Sequence, residues 1–231
     1  IYMKTINSEK GAGSSWEDGW SYESCWPLTD TEEAALFLGD GSLSETPPED
    51  GAGPDEYLSD YTVSDWEEQD FAEDIVSKGL VYTSEALSAD VCVTGHPEVI
   101  LNFTTTGRDA DFFVFLMELD EHGRSRLVSM GKLRSSFRAV GKAPYDVIGL
   151  PWHPCRESDV VPGSFAGGPI ELLIDMKPTS YVFKAGRHIQ LAITSSLSRF
   201  QFYREDPAPT VRIQRNAAYP SRLVLPVRKL K

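Results

Sequence analysis

The amino-acid sequence predicts an all-β fold, a jelly-roll β-sandwich with long acidic loops in its N-terminal third. Three observations carry this. Short apolar or alternating runs recur along the chain, set apart by Gly, Pro and Asp turns. No segment sustains the apolar period of about 3.6 residues that a helix needs. The connections are long and unequal, which favours two packed sheets over a regular barrel.

Candidate strands are Ile1–Ile6, Ala34–Leu38, Leu80–Ser84, Val91–Thr94, Glu98–Thr105, Phe112–Leu119, Arg126–Phe137, Ile170–Met176, Ile189–Thr194, Thr210–Gln214 and Arg222–Val227. Many alternate with the period of a half-buried strand; Ile189, Leu191 and Ile193 share one face. The run from Phe112 to Met117 is apolar on both faces, as in a strand enclosed between two layers. Asp120-Glu121-His122-Gly123 joins it to the next strand, with Gly123 suited to the positive φ of a hairpin turn. Asp65–Val76 is the best helical candidate. Glu45–Pro54 is a loop by composition, and Ala139–Pro169 is longer than an ordinary loop, so it should cover a sheet or serve an interface.

The 231 residues suffice for one large or two small domains, with hydrophobic (41%) and charged (25%) fractions ordinary for a globular chain. This excludes collagen-like, wholly disordered and disulfide-scaffold classes. No apolar run approaches the ~18 residues of a membrane span. A net charge of -13 argues against nucleic acid or an anionic membrane surface as the main partner. The charge is uneven: residues 1–90 hold 22 Asp/Glu against 3 Lys/Arg, whereas the remainder is net positive. That asymmetry sets the front third apart as solvated or partner-facing. Cys25, Cys92 and Cys155 form no CxxC and no even set, so neither a zinc site nor a disulfide framework is indicated. A reducing, cytoplasmic setting is expected, with no signal peptide visible; a chain opening on Ile1 reads as part of something longer.

Catalytic signatures are missing. Gly41-Ser42-Leu43-Ser44 is followed by Glu45 where a nucleophile elbow requires glycine. No phosphate loop, dinucleotide fingerprint or HExxH occurs. The four histidines, at 96, 122, 153 and 188, are far apart, so no metal site is expected. Asp109–Asp111 and Asp120-Glu121 read as turn-orienting carboxylates, and Ser195-Ser196 as a strand end. No catalytic residue and no cofactor is assigned.

Whole segments nevertheless resemble a known family. Leu80 to Leu87, Val93-Thr94-Gly95 with Pro97-Glu98-Val99, Asp109 to Phe112, Leu119 to Arg124, Gly131 to Arg138, Pro178 to Gly186 and Tyr219 to Val227 resemble the C-terminal domain of X-Pro dipeptidyl-peptidases and cocaine esterase-like acyl hydrolases. Trp26-Pro27 and Gly39 to Ser44 look like the lead-in to the same domain. The resemblance implies a galactose-binding-like jelly roll, with residues 1–79 as lead-in segment and acidic loops packing on a sandwich of residues 80–231, all one structural unit. It also implies a separate N-terminal α/β-hydrolase domain of the same parent chain bearing the Ser-His-Asp triad, so the family's catalytic residues map to no position here. The loop before Leu80 is the part implied to reach the substrate pocket, and there Trp66 and Phe71 are the pocket or interface candidates. A homo-oligomer contact is a further expectation. Gly186-Arg187-His188 stands where relatives read Gly-His-Arg.

An alternative function is carbohydrate binding, for which Trp152 would be the aromatic platform; Trp16 and Trp20 lie close to Trp26-Pro27 and are expected to pack the lead-in segment. A free-standing enzyme using carboxylates is the remaining alternative.

Overall fold

Strands dominate the computed structural model, which describes residues 1–7, 19–63, 71–163, 167–200 and 203–228. In chain order they are β1 (Tyr2–Lys4), β2 (Ile6–Asn7), β3 (Trp20–Tyr22), β4 (Thr31–Leu38), β5 (Ser42–Ser44), β6 (Asp55–Leu58), β7 (Leu80–Ser84), β8 (Val91–Gly95), β9 (Glu98–Thr105), β10 (Asp111–Leu119) and β11 (Ser125–Arg134). After them come β12 (Ile170–Asp175), β13 (Thr179–Phe183), β14 (His188–Thr194), β15 (Thr210–Ile213), β16 (Arg215–Asn216), β17 (Tyr219–Pro220) and β18 (Arg222–Arg228). A helix, α1 (Phe71–Lys78), precedes β7.

Two sheets curl around one core. The first runs β11-β10-β14-β7-β5. The second is built on β18, which pairs with β4 on one edge and with β9 and β8 on the other. Beyond β9 lies β12, while the second half of β9 pairs, on the edge it shares with β18, with β15, which in turn pairs with β6. Beyond β8 lies β13, with β2 parallel to it. The short β5 joins the sheets on one side by pairing with both β4 and β7. On the other side an isolated bridge between Gly131 and Met176 brings β11 to the end of β12. Strands β2, β4, β5 and β6 are thus laddered to strands after residue 80, while β1 and β3 pair with each other.

The alternation read from the sequence places Ile189, Leu191 and Ile193 in the shared core with Phe112, Val114 and Leu116 from the first sheet. Val99, Leu101, Phe103, Leu223 and Leu225 answer from the second. Phe103 and Phe112 meet edge to face with ring centroids 4.7 Å apart, so the layers interlock through aromatic rings. The opposite face of β10 is buried too. Phe113, Phe115 and Met117 form a second cluster with Val63, Ile75, Ala192 and Leu197. The cover that the two-faced apolar pattern requires is therefore α1 with its flanking segments.

Helix α1 carries Glu73 and Asp74 in its first turn and Lys78 in its last, as the helix dipole favours. Lys78 Nζ bonds Asp74 Oδ2 at 2.9 Å. The next residue, Gly79, lies so close to β14 that a Cβ would stand 2.2 Å from the Ile193 carbonyl oxygen. Glycine is what lets the helix end there. At the β10–β11 hairpin Gly123 takes φ 76°, as its sequence context predicts.

The structure departs from the expected strands in two ways. Ile1–Ile6 divides, because Thr5 N donates to Gly19 O at 2.8 Å, leaving β1 with β3 and β2 with β13. Arg126–Phe137 ends at Arg134: Ser135 N donates to Ala110 O and Ser136 N to Asp109 Oδ1, which winds Ser135–Phe137 into a 3-10 turn. Of the expected helix Asp65–Val76, residues 65–70 lie outside the described residues, and from Phe71 the chain is helical as far as Lys78.

Candidate functional site

Ser195, Ser196 and the histidines that the sequence singles out are engaged with other groups. Ser195 Oγ shares hydrogen bonds with Tyr57 Oη at 2.9 Å and Ser59 Oγ at 3.2 Å. Ser196 Oγ donates to Asp60 O at 2.7 Å. These buried contacts moor the acidic segment to the end of β14. Burial pushes the Tyr57 phenol above its ordinary range, and burial followed by the Asp55 carboxylate does the same to Tyr82, whose Oη donates to Asp55 Oδ2. His96 and His188 use Nδ1 on the carbonyls of Met176 and Ser84, and His122 lies 3.7 Å from Glu121. Among the described residues no serine or cysteine side chain is bonded to a histidine, and no group of three metal-ligating side chains converges.

The carboxylates singled out in the sequence orient backbone. Asp109 Oδ1 accepts from Ala110 N and Ser136 N at 2.9 and 3.0 Å. Asp120 Oδ1 accepts from His122 N and Arg124 N, both at 2.9 Å. The Arg124 N–H is the first cause that holds the Asp120 carboxyl down to about 2. Asp111, buried, is gripped by Arg134 through Nε at 3.0 Å and Nη2 at 2.9 Å and also accepts from Tyr203 N. Arg187 turns to Glu121 and Asp120, while its neighbour His188 takes Ser84 O.

The long segment after Phe137 makes the most distinctive surface. Gly141 N donates to Trp152 O at 2.9 Å and closes a loop over residues 141–152. His153 lies against Ala139 O at 3.2 Å and Leu173 O at 2.9 Å, tying the loop's base to β12. Arg138 Nη1 donates to Ser135 O at 3.0 Å and Val161 O at 2.6 Å, and Nη2 to Pro162 O at 3.3 Å. Arg138 and His153 thus brace the strap on itself and on the sandwich. Four of its apolar side chains are exposed: Val140 by 53%, Tyr145 by 65%, Val160 by 41% and Val161 by 37%. Ile148, held by Asp146 Oδ1 on its N–H, sits at φ 54°, a left-handed backbone that costs a β-branched residue on the order of 1–3 kcal/mol. Val140, Tyr145, Val160 and Val161 thus leave apolar side chains on the outside of an internally braced loop.

Sequence reasoning singled out the strap but not these side chains. The signal was a length beyond that of an ordinary loop, around the aromatic pair Trp152-His153. Trp152 is half-buried with its ring beside Gly141, and Trp20 is exposed in β3. Trp66 and Trp16 lie outside the described residues, and Phe71 is described in its backbone alone, as the first residue of α1.

Comparison with known proteins decides the family. Residues 3–223 match the X-Pro dipeptidyl-peptidase C-terminal non-catalytic domain. The chain belongs to that family. This C-terminal domain is 31% identical, over 91% of its length, to a Mycobacterium bovis protein named as a serine esterase, and covers 36% of it. It is 27% identical to the cocaine esterase of a Rhodococcus species, with 92% of the chain and 40% of the relative covered. A CocE/NonD family hydrolase from Staphylococcus aureus shares the fold with a TM-score of 0.70 at 18% identity, over 91% of this chain and 39% of that one. The domain therefore spans little more than a third of the curated relatives it matches. It is a non-catalytic β-sandwich, and the carbohydrate-binding alternative finds no support among these relatives.

Proposed function

We propose that this domain serves a longer serine hydrolase by packing on an α/β-hydrolase domain of the same polypeptide and shaping its substrate pocket. The parent enzyme would cleave X-Pro dipeptides or small acyl esters through an acyl-enzyme formed on that other domain. The observation that carries the reading is the match of residues 3–223 to a non-catalytic domain whose relatives are more than twice as long. The strap supports it, because Val140, Tyr145, Val160 and Val161 offer apolar area for a partner surface to cover. Trp66 and Phe71, in the acidic segment ahead of Leu80, are the side chains we assign to the pocket wall.

The test has two arms. The purified chain should not turn over p-nitrophenyl esters or X-Pro p-nitroanilides; turnover above buffer would overturn the reading. Joined to a hydrolase domain encoded in the same frame, the chain should raise the thermal midpoint of that domain. Tyr145→Asp with Val161→Asp should abolish the gain while leaving the melting of the isolated chain unchanged.

A further inference from the structure

Where the two sheets part beyond β5, an open groove enters the sandwich. Strand β5 holds β7 at only two positions, Ser42 to Thr83 and Leu43 to Ser84, and past them the chains diverge. The resulting cavity, of about 520 Å³, lies within the size range of small-molecule sites, roughly 300–1,000 Å³. Its walls are Leu36, Leu43, Leu87, Ile189, Leu225 and Val227, contributed by both sheets. The rim is preformed: Leu87 N donates to Arg187 O and Leu87 O accepts from Gly186 N, both at 2.8 Å. The hydroxyls of Ser44 and Ser84 already accept from Thr46 N and Ile189 N.

The charged groups at the mouth are Glu45 and Glu85, both exposed. Among the described residues neither carboxylate has an ion-pair partner, and no Lys, Arg or His lines the groove. Most of its lining, between residues 34 and 45 and between 83 and 88, belongs to the acidic part of the chain, which repels anions. Apolar walls with carboxylates at the mouth complement one kind of molecule. We propose that this groove binds a small organic cation with a hydrocarbon body, an alkyl- or arylalkylammonium, its apolar part on the leucine floor and its ammonium at Glu45 and Glu85. The site is distinct from the strap and does not depend on the hydrolase reading.

Calorimetric titration of the chain with phenylbutylamine, phenylbutanol and phenylbutyrate tests this, since the three share a hydrocarbon body and differ in charge. The amine should bind at a single site, about tenfold more tightly than the alcohol, each carboxylate contributing roughly threefold as exposed ion pairs do. The acid should bind more weakly than the alcohol. Glu45→Gln with Glu85→Gln should bring the amine down to the level of the alcohol without changing the alcohol. Ala86→Trp, which places a large ring at the exposed mouth, should remove binding of both while the unliganded melting midpoint stays put. Failure of all three probes to bind, equal binding of amine and acid, or retained binding by a normally folded Ala86→Trp chain would overturn the proposal. Should that variant fail to fold, amide shifts induced by the amine decide: changes at residues 42–45 and 84–88 support the site, and changes elsewhere refute it.

Discussion

Replacing Ile75 by alanine isolates the contribution of the helical cover. Ile75 is 0% exposed and packs in the outer cluster with Phe115 and Met117, while Val76, its neighbour on the same helix, is 47% exposed. Truncating a buried Ile to Ala costs about 2–5 kcal/mol, from lost transfer energy and the cavity left behind. Because α1 is eight residues long and lies at the periphery, it can relax toward the sheet, so about 2–3 kcal/mol is the figure to expect. At roughly 2–4 °C per kcal/mol for a chain of this size, the midpoint should fall by about 4–12 °C. Val76→Ala should stay within about 0.5 kcal/mol. Differential scanning calorimetry on both variants reads this directly, and binding of a hydrophobic dye should rise for Ile75→Ala alone. Equal effects of the two substitutions, or a loss below about 1 kcal/mol for Ile75→Ala, would refute a buried outer face on β10.

Removing Arg134 leaves the buried Asp111 carboxylate without its fork, so Arg134→Ala should cost about 2 kcal/mol in chemical denaturation, and Arg134→Lys should recover less than half. Glu98 is pushed up first by burial and then by Glu33 and by Asp175, its cross-strand partner. The folded state therefore holds that proton more tightly, and the benefit, full below an unfolded pKa of about 4.3, is lost as pH rises through the higher folded value. Glu98→Gln should stabilise the chain at neutral pH by about 0.2–1 kcal/mol, with the gain vanishing in acid; a constant gain across pH would remove the explanation. Carboxyl titration by NMR should place Asp120 at about 2, and an ordinary midpoint would mean that the hairpin turn is open in solution.

Much of the sandwich was legible because burial on one or both faces leaves a periodic mark. The alternation of β14 and the continuous apolar run of β10 each predicted their layer. Strands β5 and β6 left no such mark. They are three and four residues long, lie among turn residues and acids, and owe their existence to neighbours: Leu43 to β7, and Tyr57 to β15 and the hydroxyl of Ser195. Helix α1 continues to Lys78, past the expected end at Val76, where Gly79 meets β14; the close approach that stops it there is a tertiary contact. The strap was legible as a segment too long to be idle. Which of its side chains face outward depends on Arg138 and His153 reaching carbonyls up to 24 residues away, and no local pattern encodes that.

The position of β18 carries a consequence for biosynthesis. This strand, the last to be made of those described, is hydrogen-bonded to β4, β8 and β9, so it holds together elements formed from residues 31 to 105. Until the chain has grown as far as Arg228, β4 and β9 face each other across a missing rung, with their ladder groups and leucine side chains open to water. A nascent chain in that condition is prone to stick to its neighbours, and loss of the last ten or so described residues should yield aggregates, not a smaller sandwich.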